Sequence, residues 1–264
     1  AIDFANLTTD DIDRIEIVRG PASVLYGANA VTGVIQIFTR NGRGPARLSA
    51  WARGGTYGTR EGELAALGGS DRFGYSLSAA QHNTSGIYDI NSAARNGTYG
   101  GRLRFAPDAR SDVALSLRYV DAGAHIATNS NGVPNDSNQT HTERRFIGSL
   151  DAGRSLTNRL EARLSLGATD ADARSEDRPD SPGDPDFPYD TRARLYRRTA
   201  DARLNFELAP DVTVTGGGSY ETQHQRSTGN HPQERTVRAG YAQLAGTSFS
   251  RLSYTAGVRR DHNS

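Results

Sequence analysis

The side chains able to do chemistry in this 264-residue chain are six histidines, at 82, 125, 141, 224, 231 and 262, an aspartate run at 177, 180, 184, 186 and 190, and scattered serines. None has the spacing a reaction needs. No two histidines form the HxxxH pair that would turn both imidazoles toward one transition metal. Cysteine is absent, which excludes disulfides and thiolate metal sites. No strand-to-helix elbow presents a serine to a histidine and a carboxylate. No catalytic set can therefore be argued from these residues. Asp89, His125, His141, Asp184, Asp186, Tyr189, His224 and His231 fall in or beside polar segments between apolar runs, where they could touch a bound molecule. The aspartate run could offer oxygen ligands to calcium, but prolines interrupt it and calcium-loop spacing is missing.

Those polar segments must be held by something, and the rest of the chain says what. The 31 basic and 30 acidic residues leave a net charge of +1, which gives no reason to expect a nucleic-acid partner. Hydrophobic residues make up 35% and no stretch approaches the roughly 20 apolar residues of a membrane helix. A mean hydropathy of -0.64 still permits a transmembrane β-barrel, because only alternate residues of each strand face lipid.

From about Ala46 onward, alternating polar and apolar runs are separated by turns, and the pattern predicts eleven strands near 46–54, 58–68, 72–82, 97–107, 111–121, 143–154, 157–170, 193–208, 211–223, 236–247 and 250–261. Short connections at 69–71, 108–110, 155–156, 209–210 and 248–249 alternate with a second set, 55–57, 83–96, 122–142, 171–192 and 224–235. All but the first of that set are long. Short periplasmic turns and long external loops are the mark of an outer-membrane barrel. A loop as long as 171–192 is uncommon inside a compact soluble domain.

Parity agrees. Val113, Leu115, Leu117 and Tyr119 share one face against Ala114, Ser116 and Arg118, and Leu252, Tyr254, Ala256 and Val258 oppose Arg251, Ser253, Thr255, Gly257 and Arg259. Phe73, Phe105 and Phe206 lie beside short turns, and Tyr99, Tyr119, Tyr196 and Tyr220 toward long loops. Tyr196 and Phe206 are separated by roughly 26 Å along a tilted barrel axis, close to the height of a lipid-facing band. A soluble β-sandwich would also alternate, but it has no need of two turn classes or of a face made of Arg, Glu, Ser and Gly.

Residues 13–40, DRIEIVRGPASVLYGANAVTGVIQIFTR, break the barrel pattern. Asp13 to Arg19 reads as a short strand, Gly20-Pro21 ends it, Ala22 to Tyr26 forms one helical turn closed by Gly27, and Val34 to Thr39 makes a second, buried strand. This run resembles the plug signature of TonB-dependent outer-membrane receptors from Ile12 to Arg40, with Arg19, Gly20, Pro21, Tyr26, Gly27 and Gly33 in place. Thr32 and Gln36 depart from the residues usual there.

The resemblance implies an all-β fold: about half of a 22-stranded transmembrane antiparallel barrel with the C-terminal part of an internal α/β plug. Residues 1–44 would be plug and 45–264 the N-terminal half of the barrel, with the signal peptide, TonB box and first part of the plug lying outside this sequence. It further implies that Arg14, Glu16 and Arg19 of the plug pair with lumen-facing barrel charges such as Arg102, Arg104, Arg118, Glu161 and Arg163. The implied partners are the TonB energy-transducing complex, outer-membrane lipid and a bulky cargo carried by a monomeric receptor. The plug run and the strand SYTAGVRRDHNS look most like cobalamin receptors, with ferric siderophores as the alternative cargo and a passive porin as the alternative class. No cofactor is implied. Calcium, bound by some cobalamin receptors in the loop after the third strand, finds only Asp89 as a carboxylate in the corresponding loop here.

Overall fold

The computed structural model describes residues 8–9, 12–20, 22–27, 30–129, 131–182, 188–248 and 252–264. No helix is long and apolar enough to cross a membrane. The chain opens with β1 (Ile12–Arg19), one helical turn α1 (Ser23–Tyr26) and β2 (Gly33–Thr39). β1 and β2 pair antiparallel, Ile15 opposite Ile37 and Ile17 opposite Ile35. α1 is closed by Gly27 at φ 92, a left-handed conformation that glycine adopts without a Cβ clash.

Eleven further strands follow, each hydrogen-bonded to the next in chain order: β3 (Arg47–Gly54), β4 (Arg60–Gly69), β5 (Phe73–Thr84), β6 (Ala94–Asp108), β7 (Ser111–His125), β8 (Thr140–Ser155), β9 (Leu160–Asp177), β10 (Tyr189–Ala209), β11 (Val212–Ser227), β12 (Gln233–Ser248) and β13 (Leu252–Asn263). This is the expected antiparallel barrel wall. Its two faces are inverted relative to a soluble protein. The large apolar side chains stand in the open, Leu164 at 42% and Val258 at 67% exposure, while the opposite face buries small and polar groups such as Ala114 at 4%, Ala122 at 2% and Thr98 at 0%. A face of exposed leucines, valines and aromatics is stable only against an apolar solvent, and in lipid each backbone polar group must find its partner within the sheet. The meander supplies those partners for every strand between its edges, β3 and β13.

The register also gives the strand tilt. One row of directly opposed outward residues runs Phe73, Phe105, Val113, Ala152, Leu164, Ala202, Gly218, Gly240, Arg260. The row begins at the lower end of the apolar band, beside the short turn before β5, and ends on an arginine at its upper end. On β13 the lower end is Leu252, eight positions before Arg260. The band has slipped roughly 27 Å along the strands over roughly 38 Å across the sheet, an inclination of about 35°, within the range of closed membrane barrels.

Two features differ from the sequence-based expectation. Strands run well past the predicted ends on the long-loop side: β9 continues to Asp177, and β10 starts at Tyr189 instead of 193. Apolar alternation marks where a strand meets lipid, whereas the ladder continues into water for as long as backbone groups pair. Here polar cross-strand contacts take over, Arg174 binding both Asp190 at 2.7 Å and Glu176 at 2.9 Å. The second difference is in the small sheet. β2 was expected to be buried, but Ile15, Ile17, Ile35 and Ile37 are all exposed, because a two-stranded sheet covers neither of its own faces.

A cation at the middle of the outward band should be costly. Leu164→Arg in the intact protein is expected to destabilise the barrel by about 2–4 kcal/mol, whereas Thr255→Arg on the opposite face should change stability by less than about 1 kcal/mol. Urea titration in lipid vesicles measures both, and equal costs would contradict the assignment of faces.

Candidate functional site

The N-terminal segment lies against the inward face of the wall through polar contacts at both of its ends. At β4 to β7, Arg40 Nη1 donates to Glu63 Oε1 at 3.1 Å, and Trp51 Nε1 donates to Glu63 Oε2 at 2.8 Å. Glu63 is nearly fully buried, and the two donors pair with its two carboxylate oxygens. Arg102 Nε donates to Asn41 Oδ1 at 3.3 Å while its Nη1 reaches Ser116 Oγ at 2.7 Å. Arg118 Nη2 donates to the carbonyl and hydroxyl oxygens of Thr8, both at 3.2 Å, and the hydroxyls of Thr8 and Thr98 meet at 3.2 Å. The linker touches the wall closely: Gly69 N–H donates to Gly44 O at 2.9 Å, and a Cβ on Gly42 would lie 1.8 Å from Tyr75 O. Only glycine fits there.

The second anchor is at β12 and β13. Arg259 donates from Nη1 to the Val24 carbonyl of α1 at 3.3 Å, from Nη2 to Ser219 Oγ at 2.9 Å and from Nε to Asp261 Oδ1 at 2.9 Å. Its guanidinium lies 5.6 Å from the Tyr241 ring centre. Tyr241 O–H in turn donates to Asp201 Oδ2 at 2.7 Å, and Arg203 approaches Asp201 at 3.6 Å. Gly257 leaves room for Val24, since a Cβ there would come within 2.9 Å of Val24 Cγ1. One guanidinium thus ties α1 to a polar ladder across four strands.

This arrangement corrects the expected pairings. Arg14 binds Asp13 at 3.3 Å and Glu16 at 2.6 Å on its own sheet and covers the Phe38 ring at 3.8 Å. Arg19 has no charged partner among the described residues. Arg104 donates to Asp71 O, and Arg163 binds Asp112 and Glu161, the latter also accepting from Asn205. Groups on the same sheet satisfy these charges. The anchoring residues that sequence reasoning missed, Arg40, Glu63, Trp51, Tyr241 and Arg259, all lie on the polar parity of a strand or at the end of the plug-like run. Parity was therefore the signal available.

Comparison with known proteins places this geometry. The family model for the TonB-dependent receptor plug domain matches residues 1–34. The vitamin B12 transporter BtuB of Photobacterium profundum is 24% identical over 99% of this chain and 42% of its own length. The solved copper transporter OprC superposes with a TM-score of 0.77 at 17% identity, covering 97% of this chain and 43% of that one. The ferric citrate transporter FecA gives 0.74 at 18% identity, covering 98% and 44%. The chain thus carries the plug-domain match and the barrel fold of TonB-dependent outer-membrane receptors. It spans less than half the length of these relatives, and its wall lies in the bacterial outer membrane. Of the plug motif, Gly20, Tyr26, Gly27 and Gly33 are in the described segment, and Pro21 lies outside the described residues.

On the external side of the receptor the loops are clasped to one another. Asn91 donates to Ile126 O at 3.2 Å and Gln139 O at 3.0 Å, and its Oδ1 meets His125 Nδ1 at 2.7 Å. Asp136, buried, accepts from the Asn138 and Gln139 amides at 2.9 and 2.8 Å. Asp180 binds the amide and hydroxyl of Ser137 and accepts from Asn138 Nδ2 at 2.6 Å. Gln139 donates to Tyr189 O–H at 2.6 Å, and His141 meets Ser175 at 2.8 Å.

The expected cargo-contacting residues are not gathered in one place. His141 is on the inward parity of β8, while His125 and His224 are on the outward parity of their strands, His224 paired with Glu234 at 3.0 Å. Asp89 and His231 are exposed, and Asp184 and Asp186 lie outside the described residues. Among the described residues no three His, Asp or Glu side chains converge on a metal position. Asp180 accepts from the Ser137 amide, and Asp190 accepts from Arg174.

Two outcomes follow. Arg259→Ala should free α1, speeding amide exchange at Tyr26 and Gly27 by roughly tenfold or more, with unchanged protection as the contrary result. The Asp180 carboxyl is held below its ordinary value of 3.8, first by the Ser137 hydroxyl. A depressed folded value means the clasp contributes fully above that ordinary value and is lost only as pH falls through the folded one. Exchange at the Ser137 amide should therefore stay slow at pH 5 and rise only in stronger acid, and a rise already at pH 5 would contradict the contact.

Proposed function

We propose that the intact receptor imports a scarce, bulky nutrient across the outer membrane with energy delivered through TonB, and that cobalamin or a related corrinoid is the cargo. One observation carries the import reading. A globular segment sits on the polar inner face of the wall, held by Arg40, Asn41 and Val24 through hydrogen bonds to barrel side chains. A passive porin gains nothing from such a stopper. Its contacts suit a pore closed at rest and opened by pulling, because polar partners can be exchanged for water at small net cost, whereas a dry apolar seal cannot. The receptor is proposed as a transporter and not a catalyst, acting as a monomer with TonB as its inner partner.

For the cargo, the support is the likeness to a vitamin B12 transporter along nearly the whole chain, loops included. A second reading, a ferric siderophore, is favoured by 62% identity to the iron-regulated outer membrane virulence protein of Vibrio cholerae, confined to 29 residues covering 11% of this chain. Cargo meets the loops, so likeness that includes them weighs more.

Binding of cyanocobalamin and of a panel of ferric siderophores to the intact receptor decides between them. The expected outcome is tight, saturable binding of cyanocobalamin, with uptake but not binding abolished in cells lacking TonB. Tight binding of a siderophore with none of cobalamin would replace the cargo, and TonB-independent uptake would sink the import mechanism.

A further inference from the structure

At the level of the upper aromatics the outward face of the barrel divides into two sectors. On β6 to β8 the cations are neutralised, Arg95 and Arg144 sharing Asp121 at 3.0 and 3.5 Å. On β10 to β13 they are not. Arg198, Arg226, Arg238 and Arg260 are exposed and have no carboxylate partner among the described residues. Arg198 donates only to the carbonyls of Thr169 and Arg197, at 3.4 and 3.2 Å, and Arg238 lies over the Tyr220 ring at 5.8 Å.

The acids of this face are engaged elsewhere. Asp170 leans toward Arg194 at 3.9 Å, Glu234 holds His224, and Asp172 stands in register with Arg144 and Arg194. Arg226 is directly opposed to Arg194 across β10 and β11, so the acids near Arg194 face two cations and the sector keeps an excess of positive charge.

Just below these guanidiniums the same face is hollowed into a furrow of about 620 Å³, floored by Ala200, Ala202, Gly218 and Gly240 with Arg238 and Arg260 at its rim. A Cβ on Gly240 would meet nothing within 4 Å, so the furrow is open to the bilayer. An apolar slot that ends in unpaired guanidiniums at headgroup depth is complementary to one kind of molecule.

We propose that this face holds a phosphorylated lipid of the outer leaflet, one acyl chain lying in the furrow and the phosphate groups bridged by Arg198, Arg238 and Arg260. Guanidinium forks match phosphate oxygens in geometry as well as charge, and the site anchors the barrel at fixed depth. The proposal rests on the outward placement of this face and is independent of the cargo, so failure to bind cyanocobalamin leaves it standing.

Native mass spectrometry of the intact receptor in detergent, titrated with diphosphoryl lipid A, tests it. The wild type should retain one lipid, and the triple variant Arg198→Gln, Arg238→Gln, Arg260→Gln should retain it on the order of a hundredfold more weakly, at roughly a factor of five per guanidinium. Gly240→Leu, which fills the furrow and leaves every cation in place, should also weaken retention. Fully dephosphorylated lipid A should be lost from the wild type, and excess inorganic phosphate should not displace the bound lipid. Heat-modifiable gel mobility checks that each variant is folded. If the triple variant is not, Gly240→Leu and the dephosphorylated lipid still decide. Undiminished retention by a folded triple variant or by Gly240→Leu, equal retention of the dephosphorylated lipid, or displacement by phosphate alone overturns the proposal.

Discussion

The structure depends on a single constraint: a sheet surrounded by hydrocarbon must satisfy all of its backbone hydrogen bonds within itself. An uninterrupted antiparallel meander from β3 to β13 meets that demand for every strand between its two edges, and the remaining features follow. Side chains on the lipid side must be apolar, so Leu117, Leu164 and Val258 stand outward. The inward side is then free to be polar, which makes it a surface on which arginines, hydroxyls and carboxylates can receive another segment. An apolar interior would have welded that segment in place.

The inward surface is organised by a few shared side chains rather than by many independent pairs. Glu63 serves Arg40 and Trp51 together, and Arg259 serves Val24, Ser219 and Asp261. Buried charges of this kind cost much when one partner is removed, although the intact network contributes modestly to stability. Such contacts give register to the plug and leave it removable, which is the property that the proposed energy-coupled import asks of it.

Much of the fold was legible because lipid imposes a period of two. Val113 to Tyr119 and Leu252 to Val258 announced their faces, and all eleven strands stand where the alternation predicted them. The strand ends on the external side were not legible, since the β9 and β10 hairpin continues on Arg174, Glu176 and Asp190, whose polarity reads as loop. The plug contacts were legible only in type. Parity marks Arg102 and Arg118 as inward, but whether each meets Thr8, Asn41 or a neighbouring strand depends on how the chain folds back across dozens of residues, which no local pattern encodes. Arg14 and Glu16 show the complementary error, since the nearest opposite charge on the same strand took precedence. The histidines misled because polar residues at strand tops resemble loop residues in composition.

The inversion of the two faces can be measured directly. The chain contains no cysteine, so single nitroxide labels can be placed without background at Leu117, Leu164 and Val258 and at the inward positions Ser116, Ser165 and Thr255 in the intact receptor in bilayers. The account predicts that the first three collide with dissolved oxygen and are shielded from a water-soluble nickel reagent, and that the second three are shielded from oxygen. Equal oxygen exposure on both sets, or leucine positions shielded from both reagents in a dry interior, would contradict it.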